Sequence, residues 1–208
     1  MTPMRKISLA LALALAIPVA AEAQAGTYPA LQPTRVAERE YNFVLADYTG
    51  GSALIVQWRE GLGDQRLQFT GEAGIGDGPG DAAIILGGSM HLQLTKATQD
   101  LPFDMVLGGG IGITAGDGVS LLRIPVGVAI GHRFPLEGRY AITPFVHPRI
   151  SINRVSAGNV SNTETDIDLD IGANFELNEQ MQLRLAAALG DGSGVGISFA
   201  WTPRGLRR

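Results

Sequence analysis

The stretch T-D-I-D-L-D-I-G-A-N-F-E-L, residues 165–177, alternates polar and apolar side chains. Asp166, Asp168 and Asp170 fall on one parity, whereas Ile167 and Leu169 fall on the other. Successive side chains of a β-strand point to opposite faces of the sheet, so this stretch predicts a strand with one acidic face and one apolar face. The fold therefore depends on which of these two faces meets water.

The same period of two continues along most of the chain, interrupted by clusters of Gly, Asp, Asn and Pro. It predicts strands near residues 40–48, 52–61, 66–76, 82–95, 103–114, 120–134, 139–155, 164–177, 180–190 and 194–202. No helix, linker or second domain is expected. The pattern predicts an all-β protein, a closed antiparallel up-and-down β-barrel over residues 40–202. We expect ten strands, or eight if the first pair does not form.

The N-terminus has the features of a secretory signal peptide. M-T-P-M-R-K is a positively charged start, an apolar run follows, and A-E-A (21–23) or A-Q-A (23–25) is a small-x-small cleavage site. We expect residues 1–23 to be removed on export. Residues 24–39 then form an N-terminal leader segment, and residues 203–208 form a short C-terminal tail.

Composition indicates which face of the barrel points outward. The chain is 45% hydrophobic and 17% charged, and it lacks Cys. Its formal net charge of −4 argues against a nucleic-acid partner. A water-facing exterior is usually about 25–35% charged. Here the polar parity consists mainly of Gly, Ser, Thr, Gln and Asn, and Lys96 is the only lysine after the leader. The composition favours a transmembrane barrel with its apolar face toward lipid; a soluble lipocalin-like barrel that binds a hydrophobic ligand is the alternative.

The last predicted strand reads G-V-G-I-S-F-A-W, residues 194–201. Gly196, Phe199 and Trp201 match the C-terminal β-signal of bacterial outer-membrane proteins. On this motif and the strand pattern, the chain resembles small outer-membrane β-barrel proteins of the OmpX and OmpA-barrel type. The resemblance implies a location in the outer membrane of a Gram-negative cell, contact with lipid and lipopolysaccharide, and the barrel-assembly machinery as a partner during insertion. It also implies periplasmic termini, with the longest connection, S-A-G-N-V-S-N-T (156–163), on the outside.

The aspartates of the opening stretch need partners if they face the lumen, since a carboxylate removed from water is costly unless it is paired. Parity places three arginines on the same inward face. We therefore predict a polar network in the lumen, formed by Arg123, His147, Arg149, Asp166, Asp168, Asp170 and Arg184. Either it fills and fixes the lumen, or it serves selectivity or ligand binding.

Other polar residues indicate no further chemistry. Asp77, Asp81, Asp117 and Asp191 are expected in Gly-rich turns, where Asp-Gly is ordinary hairpin chemistry; a weak Ca²⁺ or Mg²⁺ site is the alternative. His147 and Ser151 are four residues apart on one strand, about 13 Å at the usual rise and too far for a nucleophile–base hydrogen bond. We expect neither an enzyme nor a cofactor.

The sequence thus predicts a non-enzymatic membrane barrel that serves envelope integrity or surface interaction. A narrow pore for small solutes is the alternative, suggested by inward glycines that would curve the strands or leave space in the lumen. These are Gly108, Gly110, Gly112, Gly127 and Gly131. A girdle of aromatic residues is expected at the lipid–water boundaries, formed by Tyr41, Tyr48, Trp58, Phe103, Phe134, Tyr140 and Trp201.

Overall fold

The computed structural model describes residues 31, 33–48, 51–63, 66–77, 82–190 and 193–203. The predicted signal peptide, half of the leader segment and nearly all of the C-terminal tail lie outside the described residues. No helix in the described part of the chain is long and apolar enough to cross a bilayer.

Ten long antiparallel strands and one two-residue strand make up the fold. Their bounds are β1 Arg39–Tyr48, β2 Gly51–Leu62, β3 Leu67–Asp77, β4 Ala82–Thr95, β5 Asp104–Gly116, β6 Val119–Gly131, β7 Phe134–Pro135, β8 Ala141–Ala157, β9 Val160–Glu176, β10 Met181–Leu189 and β11 Gly194–Trp201. The prediction of ten strands is confirmed. The two-residue β7 was not expected; it pairs with β8 beyond the end of β6, with Phe134 opposite Ile142.

Consecutive strands pair with one another except β6 and β7, and two further pairings close the sheet. β1 pairs with β11, from Tyr41 opposite Trp201 to Tyr48 opposite Gly194. β6 pairs with β8 around the short β7. No long strand is left at an edge, so the predicted closed up-and-down barrel is confirmed. Closure removes the exposed edges at which an open sheet would pair with other chains.

The barrel has two ends, which we call the terminal end and the far end. The terminal end holds the start of β1, the end of β11 and the connections 63–66, 96–103, 132–140 and 177–180. The far end holds the connections 49–50, 78–81, 117–118, 158–159 and 190–193. The expectation that the longest connection lies on the side away from the termini is wrong, because the longer connections lie at the terminal end.

The segment S-A-G-N-V-S-N-T is not a loop. β8 continues to Ala157 and β9 begins at Val160, so only Gly158 and Asn159 join them. Gly158 has a φ of +57°, which suits a tight two-residue turn. The polar residues on either side of this turn belong to paired strands, and the pairing continues up to Ala157 opposite Val160. The polar composition of this segment led to the wrong prediction of a long connection, because a hairpin that extends past the barrel wall has water on both faces.

The two faces of the barrel wall differ sharply in polarity. The outer face carries exposed apolar side chains on every long strand, such as Leu45, Ile84, Val126 and Ile167, the last 78% exposed. The inner face is buried and mostly polar: Arg59, His91, His147 and Arg184 are each 1% exposed. This arrangement is the reverse of a lipocalin-like barrel, in which the apolar face points inward.

Aromatic residues form a girdle around one end of the outer face. All outward-facing aromatic residues of the described chain lie either in the connections at the terminal end or in the terminal half or middle of a long strand: Tyr41, Phe43, Trp58, Phe69, Phe103, Phe134, Tyr140, Phe175, Phe199 and Trp201. Tyr41 stacks on Trp201 with ring centroids 5.9 Å apart. Tyr48 was wrongly expected in the girdle. It points inward and donates a hydrogen bond to the Asp77 carbonyl, because it shares the inward parity of Asn42 and Val44.

Candidate functional site: the polar lumen

The register of β8 against β9 brings the predicted aspartates beside basic side chains. His147 lies opposite Asp170, and Arg149 lies opposite Asp168. Arg149 Nη1 is 2.9 Å from Asp168 Oδ2, and its Nε is 3.1 Å from Asp170 Oδ2. His147 Nδ1 lies 2.9 Å from the same Asp170 oxygen. Arg149 thus bridges two carboxylates, with both Arg149 and Asp168 removed from water.

Toward the far end the network continues through neutral side chains. Arg123 Nε donates to Asn153 Oδ1 at 2.7 Å, and Asn153 Nδ2 donates to Asp166. Ser151 Oγ accepts a hydrogen bond from Arg149 at 3.0 Å. Arg123 therefore joins the aspartates by way of Asn153. A buried ion pair needs such additional hydrogen bonds to offset the loss of hydration.

Arg184 does not belong to this network, and the prediction that it would is wrong. On β10 it lies opposite Asn174, whereas Asp170 lies opposite Ala188. The four-residue offset places Arg184 about 13 Å along the strand from the nearest aspartate level. It forms two hydrogen bonds to Glu40 instead, at 2.7 and 2.6 Å. The alternation of the sequence assigned Arg184 to the correct, inward face, but alternation carries no information about the height of a residue along the barrel.

A second buried cluster, which the sequence reasoning missed, surrounds Glu40. Arg59 Nη1 donates to Glu40 Oε1 at 2.9 Å, and its Nη2 donates to Gln57 Oε1 at 2.8 Å. Gln57 in turn donates to Glu72 at 2.8 Å. The available signal was the same period of two, which places Glu40 on the inward parity of β1 with Asn42. Which partners Glu40 meets depends on barrel closure.

Two of the inward glycines make room for histidine rings. A Cβ built on Gly108 would lie 2.7 Å from His91 Cδ2, and one built on Gly127 would lie 2.6 Å from His147 Nε2. The prediction that inward glycines leave space in the lumen is correct at these positions, but side chains occupy that space. The rings of His91 and His147 therefore occupy the space that Gly108 and Gly127 leave.

No hydrolytic pair is formed by His147 and Ser151. The hydrogen bonds of His147 Nδ1 and of Ser151 Oγ go to the lumen network, to Asp170 and to Asp168 respectively. Within the described residues, no group of three or more His, Asp or Glu side chains is placed to hold a metal ion.

Two of the four aspartates named as weak metal candidates, Asp77 and Asp117, are described, and they lie in different surroundings. Asp77 Oδ2 accepts hydrogen bonds from the Ser52 backbone N–H at 3.0 Å and from the Ser52 hydroxyl at 2.9 Å. Asp117 lies in the tight connection after β5, with a φ of +46°, as expected for a turn residue. Asp81 and Asp191 lie outside the described residues.

The β-signal residues occupy β11, which closes the barrel against β1. Phe199 and Trp201 point outward within the aromatic girdle, and Gly196 points inward beside Leu31. At the same end, Arg133 in the connection after β6 binds Glu176 through two hydrogen bonds of 2.7 and 2.6 Å. This contact raises the pKa of the Arg133 guanidinium above its ordinary value.

Comparison with known proteins gives structural likeness only. No family model matches the chain, and no curated protein matches its sequence. Among solved structures, LpxR from Salmonella typhimurium is 11% identical, covering 81% of this chain and 85% of its own, with a TM-score of 0.46. A KdgM porin in complex with disordered oligogalacturonate is 5% identical, covering 79% and 99%, with a TM-score of 0.41. The beta domain of the Bordetella autotransporter BrkA is 12% identical, covering 78% and 97%, with a TM-score of 0.40. These structures are outer-membrane β-barrels.

Proposed function

We propose that this protein is a non-enzymatic, integral outer-membrane β-barrel that is exported through a cleaved signal peptide. The observation that carries the proposal is the polarity of the wall. Exposed apolar side chains cover the outside, and buried Arg, Asp and Glu side chains fill the inside. In water this arrangement would be unstable, because the largest apolar surface would stay hydrated while ionic groups lost their hydration. In a bilayer the same arrangement is the expected one.

The dimensions of the apolar band support a membrane-spanning position. On β6 the outward residues are apolar over eight residue rises: Leu122, Ile124, Val126, Val128 and Ile130. On β9 the outward apolar run reaches from Ile167 to Leu177. At about 3.3 Å per residue and a tilt of about 40°, such runs are about 20–25 Å tall, close to the apolar band of about 25 Å in membrane barrels.

The lumen supports a structural role rather than catalysis. Arg149, Asp168 and Asp170 bind one another, and Glu40 holds Arg59 and Arg184. Such a network fixes the barrel wall from inside. Envelope integrity is one role that suits a filled barrel; surface interaction is the other, supported by the β8–β9 hairpin, whose residues 157–165 are all exposed. Lipid and lipopolysaccharide would surround the wall, and the β-signal would engage the barrel-assembly machinery.

Membrane fractionation followed by gel electrophoresis with and without boiling tests the proposal. We expect the protein in the outer-membrane fraction, and we expect unboiled protein to migrate faster than boiled protein because the closed barrel stays compact. Recovery as a soluble periplasmic protein would overturn the proposal.

A further inference from the structure

One sector of the lumen wall is built from small inward residues. Ala46, Ala53, Ala186 and Gly196 lie in one row across β2, β1, β11 and β10, since Ala46 pairs with both Ala53 and Gly196, and Gly196 pairs with Ala186. At other levels of these same strands, inward positions carry long side chains such as Arg59 on β2 and Arg184 on β10. The strands by themselves therefore leave the lumen unfilled beside β11 and β1.

A residue from outside the strands fills that gap. Leu31 is 5% exposed and packs in an apolar cluster with the inward side chains Val44, Ala46, Tyr48, Ala53, Ile55 and Ile85. A Cβ built on Gly196 would lie 3.6 Å from Leu31 Cδ1, an ordinary packing distance. The segment that carries Leu31 precedes β1, so it enters the lumen from the terminal end.

Bonds to side chains of the wall hold the segment in place. Gln93 accepts from the Val36 N–H at 2.9 Å and donates to the Thr34 carbonyl at 3.2 Å. Arg35 binds Asp104 at 2.7 Å, with the arginine side chain half-exposed. Individual neutral hydrogen bonds contribute only about 0.5–1.5 kcal/mol net. The segment is thus attached by individual bonds, whereas each of the ten long strands pairs with a neighbouring strand on both sides.

The segment also covers the mouth of the lumen. A polar pocket of about 400 Å³ at the terminal end is lined by residues 33–38 on one side and by Glu40, Thr143, Asn174 and Arg184 on the other. The Leu31 carbonyl accepts a hydrogen bond from Arg59 at 3.3 Å. Displacing the segment would therefore open this pocket to the gap beside β11 and uncover the cluster around Glu40.

We propose that the described residues Leu31 and 33–38 act as a displaceable plug, and that moving them out opens a narrow ion-conducting path beside β11 and β1. The inference rests on the proposed membrane-spanning barrel. Small cations are the expected permeant species, because the buried charged side chains of the described barrel comprise six carboxylates and four guanidinium groups. An excess of one sign of charge in a low-dielectric wall concentrates the opposite ion.

Two sets of plug variants test the inference in planar bilayers. Leu31→Asp places a carboxylate in the apolar cluster, where an unpaired charge is costly, and Leu31→Met is its control because it keeps an apolar side chain of similar volume. A double variant combines two changes. Val36→Pro removes the backbone N–H that donates a hydrogen bond to Gln93, and Arg35→Ala removes the ion pair with Asp104. All of these positions lie outside the strands, so the wall is unchanged.

We expect cation-selective openings to be about tenfold or more frequent in Leu31→Asp and in the double variant than in wild type and Leu31→Met. Flotation with liposomes and faster migration without boiling establish that each variant is inserted and folded. Inserted, folded variants that conduct no more than wild type would overturn the plug. If Leu31→Asp does not fold, the double variant decides. Wild-type protein that does not float with liposomes would instead overturn the membrane barrel itself.

Discussion

Arg184 on β10 donates two hydrogen bonds to Glu40 on β1, although 144 residues separate them in the chain. Both side chains are 2% exposed. The two strands do not pair with each other, because β11 lies between them. The contact therefore bridges the seam at which the first and last strands close the barrel, and Arg59 strengthens it by sharing the same carboxylate.

Glu40→Gln is expected to destabilise the barrel strongly. The amide keeps the shape of the side chain but leaves Arg59 and Arg184 buried without a carboxylate, which costs about 3–5 kcal/mol for a buried pair. The free energy of unfolding, measured by denaturant titration of tryptophan fluorescence in lipid vesicles, checks this. Glu60→Gln is the control, since its pair with Arg39 is partly exposed and should cost no more than about 1 kcal/mol. Equal losses in the two variants would exclude a special role for the seam.

Arg149 and Asp168 should be energetically coupled. A double-mutant cycle with Arg149→Met and Asp168→Asn is expected to give a coupling energy of about 0.5–3 kcal/mol, because the pair is buried and in direct contact. Pairing Arg149→Met with Asp77→Asn is the comparison, since Asp77 binds Ser52 and shares no partner with Arg149. That second pair should be additive within about 0.3–0.5 kcal/mol. Additivity of Arg149 with Asp168 would argue against the network.

Gly127→Ala should lower stability by about 1–3 kcal/mol through overpacking. The new Cβ would lie 2.6 Å from His147 Nε2 and 2.7 Å from the Pro148 carbonyl oxygen, and the backbone contact cannot move aside easily. Gly109→Ala, on the adjacent strand β5, is the matched control, because its Cβ would meet nothing closer than 3.5 Å. Thermal unfolding of the folded band on unboiled gels compares the two variants, and a control as unstable as Gly127→Ala would contradict the steric explanation.

A charge at the middle of the outer face should be far more costly than one at its rim. Val126→Arg lies midway along β6, where the side chain is 53% exposed, and should cost about 2–4 kcal/mol in a bilayer. Ser120→Arg, on the same face of the same strand near the far end, should cost about 0–1 kcal/mol. Folding yields and unfolding free energies in vesicles measure the difference. If Val126 faced water, the two arginines would have similar small effects.

The long strands and the face on which each side chain lies were predictable because they depend on local information. Alternation over residues 165–177 assigns Asp168 to one face and Ile167 to the other, whatever the rest of the chain does. The scarcity of charge on the polar parity then predicts which face is outside. The hairpin at 158–159 was missed for a local reason too, since polar residues on both faces remove the contrast that marks a strand.

The sequence by itself determined the period, the inward set of Arg, Asp and Glu side chains and the aromatic terminal strand. Only the tertiary structure decided which inward groups meet, because partner choice depends on the stagger between strands and on closure of the barrel. Arg184 binds Glu40 rather than Asp170 for that reason, and Leu31 enters the lumen because Gly196, Ala46 and Ala53 leave space there. A period of two specifies a face; the height along the barrel is a property of the assembled sheet.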